Sequence, residues 1–205
     1  MPYLLIDRYD RTIHNSEIAR IHQEDFCQAL GIAPQKKYQN EGGPSLAQCF
    51  ELLSKYSTQP AKDRLRMADA VIFNYLIGNT DAHGKNFSFL HEGDGLILAP
   101  FYDLLSTVIY PNLSQKMAMK IGGKYKYEEV HLKEWEKMAT ETGLGQPYIR
   151  ARLIHIATQL PKQAKELIEE LKVQSLYSSV NEIIYKLISK NADKILRIIP
   201  TNPIV

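Results

Sequence analysis

The chain has 205 residues, of which 44% are hydrophobic and 23% are charged, and its formal net charge is +2. This composition is typical of a globular domain that buries a core, and the net charge alone does not indicate binding to nucleic acid or a membrane. Cys27 and Cys49 lack disulfide-framework or zinc-site spacing, which excludes both features and predicts two small core residues.

The first half of the chain predicts helices separated by loops. Residues 3–9 have strand character, and a helix is expected from Gln23 to Leu30, ended by Gly31. A second helix is expected to begin with Pro44 in its first position. Apolar residues recur at spacings of three and four from residue 62 to 77, which predicts the best-defined helix of the chain.

The second half predicts two hairpins and then more helices. The segments FSFL and LILA indicate two short strands joined by a glycine-containing turn, and residues 117–130 indicate another hairpin around Gly122 and Gly123. Trp135 is expected to pack within a helix, and Pro161 is expected to kink or split another. Ser179 and Glu182 have the spacing of a capping box for the last helix.

The segment GNTDAHGKNF, residues 78–87, concentrates polar side chains directly after the best-defined helix. Asp81 and Asn86 have the separation of the base and the metal-binding asparagine in protein kinases, and the following hairpin would return Asp103 beside them. With Lys85, they supply the residue types of a Mg²⁺-dependent phosphoryl-transfer site. Alone, the loop is also compatible with a polar turn that caps backbone groups.

These segments resemble one known family, the HipA-like kinases, whose best-known members are bacterial toxins of toxin–antitoxin pairs. In order along residues 4–109, the resemblance rests on IDRYDR, HQEDFCQALGI, KYQNEGGP, NYLIGNTDAHGKNFSFL and LAPFYDLLS. It implies the mainly α, helical carboxy-terminal lobe of a protein-kinase-like fold. Residues 1–205 would form one domain, with a hinge segment 1–11, a catalytic core 12–110, and a hairpin with C-terminal helices over 111–205.

The resemblance also implies a reaction, the Mg²⁺-dependent transfer of the ATP γ-phosphate to a Ser or Thr hydroxyl of a protein. On the family's motif, Asp81 takes the role of catalytic base, and Asn86 and Asp103 take the roles of Mg²⁺ ligands. The family contacts ATP at the positions of Asp7, Arg8, Tyr9, His83, Gly84, Lys85, Asn86, Tyr102 and Asp103. Glu and Phe often stand in the family where this chain has Asp7 and Tyr9.

Half of the expected ATP site has no counterpart in the sequence. A kinase clamps ATP with a phosphate-binding loop and a strand-borne lysine from its amino-terminal lobe. This chain begins at the hinge, and EGG at 41–43 precedes Pro44 without a suitably placed lysine, which favours a surface loop. We therefore expect either a shortened form of a longer kinase or a naturally split or degraded one, with the other lobe supplied in trans.

Two other polar clusters each allow a functional and a structural interpretation. The hairpin lysines could contact nucleic acid or form a solvated face, and residues 23–25 could approach the substrate or serve the helix dipole. Five histidines have no metal-ligand spacing. The residues concerned are Lys116, Lys120, Lys124 and Lys126 with Tyr125 and Tyr127; Gln23, Glu24 and Asp25; and His14, His22, His91, His131 and His155.

Two functions follow from the sequence. The first is a serine/threonine protein kinase toxin, for which the resemblance implies an aminoacyl-tRNA synthetase as protein substrate, an antitoxin partner, and DNA reached only through the antitoxin. The alternative is a catalytically silent half-kinase that acts as a binding or regulatory module. No apolar run approaches the length of a membrane span, so a cytoplasmic protein without a membrane partner is expected.

Overall fold

The computed structural model describes residues 6–14 and 17–199, which contain six α-helices and seven short strands. The helices are α1 Phe26–Ala29, α2 Leu46–Tyr56, α3 Pro60–Ile77, α4 Leu132–Glu141, α5 Gln146–Val173 and α6 Ser179–Ile198. The strands are β1 Arg11–His14, β2 Glu17–Arg20, β3 Gln23–Asp25, β4 Ser88–Glu92, β5 Gly95–Leu98, β6 Lys116–Ile121 and β7 Lys124–Lys126. They pair antiparallel in three small sheets, β1–β2, β3–β4–β5 and β6–β7. The predicted mainly helical fold with short hairpins is confirmed.

Helix α3 forms the centre of the core and contacts α2, α5 and α6. The helix predicted over 62–77 is confirmed, and it begins two residues earlier at Pro60, where the missing N–H costs no helical hydrogen bond. Gly78 ends it with a φ of +72°, and a Cβ at this position would lie 2.4 Å from a methyl group of Val108. The chain therefore turns sharply out of α3 into residues 79–87.

The hairpin β4–β5 returns the chain to the end of α3. Its position is fixed by Asp63, a buried residue in the first turn of α3, which accepts hydrogen bonds from the Leu98 N–H at 2.8 Å and the Ser57 hydroxyl at 2.7 Å. Arg66 donates to the Leu98 carbonyl at 2.9 Å. The segment from 99 to 103 is thereby held beside the loop that follows α3.

The second predicted hairpin, β6–β7, and the buried packing of Trp135 are also confirmed. Trp135 lies edge-on to Tyr75 of α3, with ring centroids 5.2 Å apart, and is fully buried. The two cysteines are buried and unpaired, as expected for core residues. Among the described helices, none has the length and apolar character needed to cross a membrane.

Several local predictions were wrong. Gln23–Asp25 forms β3 rather than the start of a helix, because these residues pair with β4, and Asp25 then caps the short α1. Pro44 precedes α2 instead of opening it, since Ser45 is the N-cap. Pro161 was expected to kink or split a helix, and the split is wrong, because α5 continues through Pro161 with buried residues on both sides, Ala157 and Ile168.

The boundaries at the two ends of the chain also differ from the prediction. The last helix has its cap one residue earlier than expected, where the Asn181 side chain accepts the Ser178 N–H at 2.7 Å. Of the strand expected over 3–9, residues 3–5 lie outside the described residues, and residues 6–9 form no strand. The first strand begins at Arg11, in the hairpin β1–β2 that the sequence did not predict.

Candidate active site

Asn79 links three parts of the candidate site through one buried side chain. Its carbonyl oxygen accepts the Asp81 N–H at 3.0 Å, and its amide donates to the Asn74 side chain at 2.9 Å and to the Asp103 carbonyl at 3.2 Å. The sequence pattern indicated no role for Asn79, although this residue lies inside the segment GNTDAHGKNF. Because of these bonds, the backbones at 81 and 103 are both fixed to the end of α3.

Asn86 and Asp103 are in direct contact, as the sequence predicted from the intervening hairpin. The Asn86 amide donates to a carboxylate oxygen of Asp103 at 2.6 Å, while its own carbonyl oxygen accepts the His83 N–H at 3.0 Å. Asp103 has a φ of +56°, a left-handed conformation that Asp tolerates better than most side chains. The pair offers amide and carboxylate oxygens, the hard ligands that Mg²⁺ prefers, so these residues fit a Mg²⁺ ion.

Asp81 uses one of its two carboxylate oxygens within the protein. The Tyr38 hydroxyl donates to Oδ1, and Nε2 of His83 lies 3.9 Å from the same atom. The side chain is 40% exposed, and Oδ2 accepts no hydrogen bond from the described part of the chain. The second oxygen is therefore free to accept a hydrogen bond from a hydroxyl group of another molecule.

Burial shifts the pKa values of Tyr38 and His83, the two side chains beside this carboxylate. Burial, and then the hydrogen bond to Asp81, raises the pKa of Tyr38 above its ordinary value, so the hydroxyl remains a donor. Burial lowers the pKa of His83, although the Asp81 charge acts in the opposite direction. The two rings meet edge-on with centroids 5.3 Å apart, and Nδ1 of His83 has no hydrogen-bond partner among residues 6–14 and 17–199.

A cleft of about 360 Å³ lies between the hinge segment and the loop after α3. Five residues expected to contact the nucleotide line it: Asp7, Arg8, Tyr9, Lys85 and Tyr102. The other four, His83, Gly84, Asn86 and Asp103, do not line this cleft, although Asp103 directly follows Tyr102. The structure thus brings residues 7–9 close to Lys85 and Tyr102, which lie more than 70 positions later in the sequence.

A chain of four hydrogen bonds connects the hinge to the loop. The Tyr9 hydroxyl donates to Gln23 at 2.9 Å, and Gln23 donates to Ser88 at 3.0 Å. Ser88 then donates to the Tyr102 hydroxyl at 2.6 Å, because Tyr102 uses its own hydrogen for the Lys85 carbonyl at 2.6 Å. Burial raises the pKa of Tyr102 to about 12. Gln23, considered above for substrate contact or helix capping, and Ser88, which had no assigned role, are therefore linking residues.

Asp10 fixes the direction of the Arg8 side chain. Two nitrogens of Arg8 contact the two Asp10 oxygens at 2.8 Å each, and Arg11 contacts the same carboxylate at 2.5 Å. The Arg8 hydrogen bonds, with Arg11, hold the pKa of Asp10 well below its usual range. Arg8 thus commits two of its nitrogens to Asp10, a residue that the sequence analysis did not place in the site.

Gly84 is buried beneath the loop that carries the GGP sequence. A Cβ at this position would lie 2.2 Å from Cγ of Pro44 and 2.9 Å from the Cys27 sulfur. Glycine is therefore required here by packing, whether or not it also approaches a nucleotide. The contact packs the segment around residue 84 against the segment around residue 44.

The chain belongs to the family of HipA-like C-terminal domains, which matches residues 1–176. It is 48% identical over 170 residues to Y4mE, a candidate kinase of Sinorhizobium fredii. It is also 31% identical over 178 residues to the serine/threonine-protein kinase toxin HipA of Shewanella oneidensis. These matches cover 82% and 80% of the chain but 40% and 41% of the relatives. The chain therefore spans about two-fifths of the length of these curated relatives.

The fold is likewise similar to a solved structure. HipA in the Shewanella oneidensis complex of HipA, HipB and operator DNA matches with a TM-score of 0.75 and 27% sequence identity. The match covers 93% of this chain and 46% of that one. The predicted family and the predicted helical lobe are both confirmed, and the relatives' names indicate a kinase-like protein.

Proposed function

We propose that this domain is the catalytic lobe of an ATP-dependent serine/threonine protein kinase. The observation that carries the proposal is the contact between Asn86 and Asp103. Asp81 lies five residues before Asn86, and one of its carboxylate oxygens accepts no hydrogen bond within the described residues. Asn79 fixes both parts to one helix end. This combination provides a metal-binding pair and a separate proton acceptor, as phosphoryl transfer requires.

Each residue has a distinct proposed task. Oδ2 of Asp81 accepts the proton of the acceptor hydroxyl, whose oxygen attacks the γ-phosphorus while the bond to the β–γ bridging oxygen breaks and ADP leaves. Asn86 and Asp103 would hold Mg²⁺, which neutralises phosphate charge when bound.

The proposed nucleotide contacts come from three segments. Lys85 adds a cation, and the hinge offers its backbone to the adenine. The proposed contact residues are Asp7, Arg8, Tyr9, His83, Gly84, Lys85, Asn86, Tyr102 and Asp103.

The larger assembly is also a proposal. The chain's length relative to its relatives supports an additional lobe that closes the phosphate side of the site. The Shewanella protein named a toxin was solved with HipB and operator DNA, which supports an antitoxin partner for this chain and an indirect connection to DNA. By family resemblance, we propose an aminoacyl-tRNA synthetase as a protein substrate in the cytoplasm.

The test is transfer of labelled γ-phosphate, in the presence of Mg²⁺, by this chain combined with the proposed additional lobe (the two-lobe protein). We expect transfer by the unmodified protein and none by a variant with both Asp81→Asn and Asp103→Asn. Asp94→Asn is the matched control, because Asp94 is an exposed aspartate in the turn between β4 and β5. Nucleotide binding without any transfer by the unmodified protein would contradict the kinase and favour a silent binding module.

A further inference from the structure

A second cleft, of about 390 Å³, opens beside Asp81. Its lining comes from the segment around Tyr38, from the loop after α3, and from the hairpin β6–β7 with the turn before it. It shares no lining residue with the cleft at the hinge. A molecule in this second cleft could therefore reach Asp81 without displacing a nucleotide at the hinge.

The walls of this cleft are connected to one another by hydrogen bonds. The Ala118 N–H donates to the Thr80 carbonyl at 2.9 Å, which attaches β6 to the residue before Asp81. The Lys120 N–H donates to the Gln39 side chain at 2.7 Å, which attaches the same strand to the segment that carries Tyr38. The cleft is therefore formed without a ligand.

Most residues that line the cleft are polar or charged, but four present apolar or aromatic groups: Tyr38, Leu113, Met117 and Tyr125. The Lys120 ammonium lies 5.0 Å from the centre of the Tyr125 ring. The four apolar and aromatic groups would suit an apolar side chain of a ligand.

Three charged side chains line the same cleft, Glu41, Lys116 and Asp81 itself. Lys116 opposes the charge of Glu41, and the carboxylate of Asp81 is the group that an acceptor hydroxyl would meet.

We propose that this cleft binds the protein segment that is phosphorylated, presenting a Ser or Thr hydroxyl next to an apolar residue, with Tyr38 as the positioning residue for Asp81. The inference rests on the proposed kinase function and adds its acceptor subsite. Tyr38 occupies Oδ1, so the acceptor hydroxyl donates to Oδ2. Its oxygen then attacks the γ-phosphorus, ADP departs, and the hydroxyl proton remains on Asp81.

The first test is a peptide library with a fixed Ser or Thr and varied neighbouring positions, phosphorylated by the two-lobe protein. We expect the preferred peptides to carry Leu, Met or Phe beside the hydroxyl. Tyr125→Ser should raise the KM for the best peptide about tenfold while leaving the KM for ATP unchanged, since loss of one apolar contact has an effect of this order. Tyr177→Ser is the control, because Tyr177 also has a lysine, Lys172, 5.4 Å from its ring centre.

The second test separates positioning from binding. Tyr38→Phe retains the ring against His83 but removes the donor to Asp81, so kcat should fall at least about tenfold with both KM values nearly unchanged. Two results together would overturn the acceptor cleft but not the kinase proposal. The first is phosphate transfer that Tyr38→Phe leaves unchanged, and the second is an equal effect of Tyr125→Ser and Tyr177→Ser. Absence of transfer to every peptide would overturn the kinase proposal and the cleft together.

Discussion

The side-chain amide of Asn86 donates a 2.6 Å hydrogen bond to the carboxylate of Asp103, which is 17 residues away in the sequence. The orientation of the amide is determined by its neighbours, because the His83 N–H requires an acceptor and the Asp103 carboxylate requires a donor. Each side chain therefore has a defined direction before any cation binds. In this arrangement the amide nitrogen of Asn86, not its oxygen, faces Asp103, so a cation held by both side chains would replace this hydrogen bond.

Replacement of Asp103 by Asn should abolish phosphate transfer by the two-lobe protein and leave the fold intact. The substitution removes the negative charge needed for Mg²⁺, while Asn tolerates the left-handed backbone at this position. Labelled ATP measures transfer, and a thermal melt measures folding. Nucleotide affinity should also lose its dependence on Mg²⁺ concentration. Unchanged transfer and unchanged Mg²⁺ dependence would remove Asp103 from the site.

Replacement of Asp81 by Asn should affect the chemical step and spare nucleotide binding. An amide cannot accept the hydroxyl proton, so we expect kcat to fall by about 10² to 10⁴. Calorimetry with ATP and Mg²⁺ should give nearly the same affinity as before the substitution, because Asp81 does not line the hinge cleft. A large loss of ATP affinity would assign Asp81 a different role.

Tyr102→Phe should lower the free energy of unfolding by about 1 to 3 kcal/mol, the cost of leaving buried polar groups without partners. The substitution removes the acceptor of the Ser88 hydroxyl and the donor to the Lys85 carbonyl. Urea denaturation measures the change. Tyr148→Phe is a suitable control, since the Tyr148 hydroxyl makes no hydrogen bond within the described residues. Equal stability of the two variants would contradict the importance of the hydrogen-bond chain.

Asp10→Asn should reduce the dependence of stability on acidic pH. The native pKa of Asp10 is depressed by Arg8 and Arg11, so its contribution is fully present above the unfolded value of about 3.9 and is lost progressively as the pH falls below that value towards the native pKa. Denaturation midpoints measured between about pH 6 and pH 3 should therefore decline less steeply in the variant. Parallel curves for the two proteins would show that the Arg8–Asp10 contact does not stabilise the native state.

The 205-residue chain alone should fold cooperatively yet bind ATP weakly and transfer no phosphate. Helix α3 supplies a core that does not depend on another lobe, with Met67, Ala68 and Ile72 fully buried. The described residues provide the cleft beside residues 6–10 and the two proposed metal ligands, but the phosphates would remain largely solvated. Calorimetry and labelled ATP, with and without the other lobe, measure both properties. Tight binding together with multiple turnovers by the chain alone would contradict the two-lobe proposal.

The contact between Asn86 and Asp103 could be predicted because its two causes are local. A periodic apolar pattern defined α3, and two short strands with a glycine-containing turn necessarily return the chain to its starting point. The same kind of signal predicted the β6–β7 hairpin. Local patterns were therefore sufficient for these two hairpins, although not for the hairpin β1–β2.

The contact between Tyr38 and Asp81 could not be predicted in this way. The two residues are 43 positions apart, and Tyr38 lies in a segment without helix or strand periodicity. Gln23–Asp25 was assigned to the wrong element for a related reason, because pairing with β4 outweighs the local preference. Both cases depend on tertiary contacts that no single segment of the sequence contains.

The packing of Gly84 against Pro44 and Cys27 has an evolutionary consequence. A larger residue at 84 would displace the loop that carries Asn86, unless the side chains at 44 and 27 became smaller at the same time. Substitutions at these three positions should therefore be correlated among related sequences, although the positions belong to separate motifs. A lineage that enlarged only residue 84 would shift Asn86 away from Asp103.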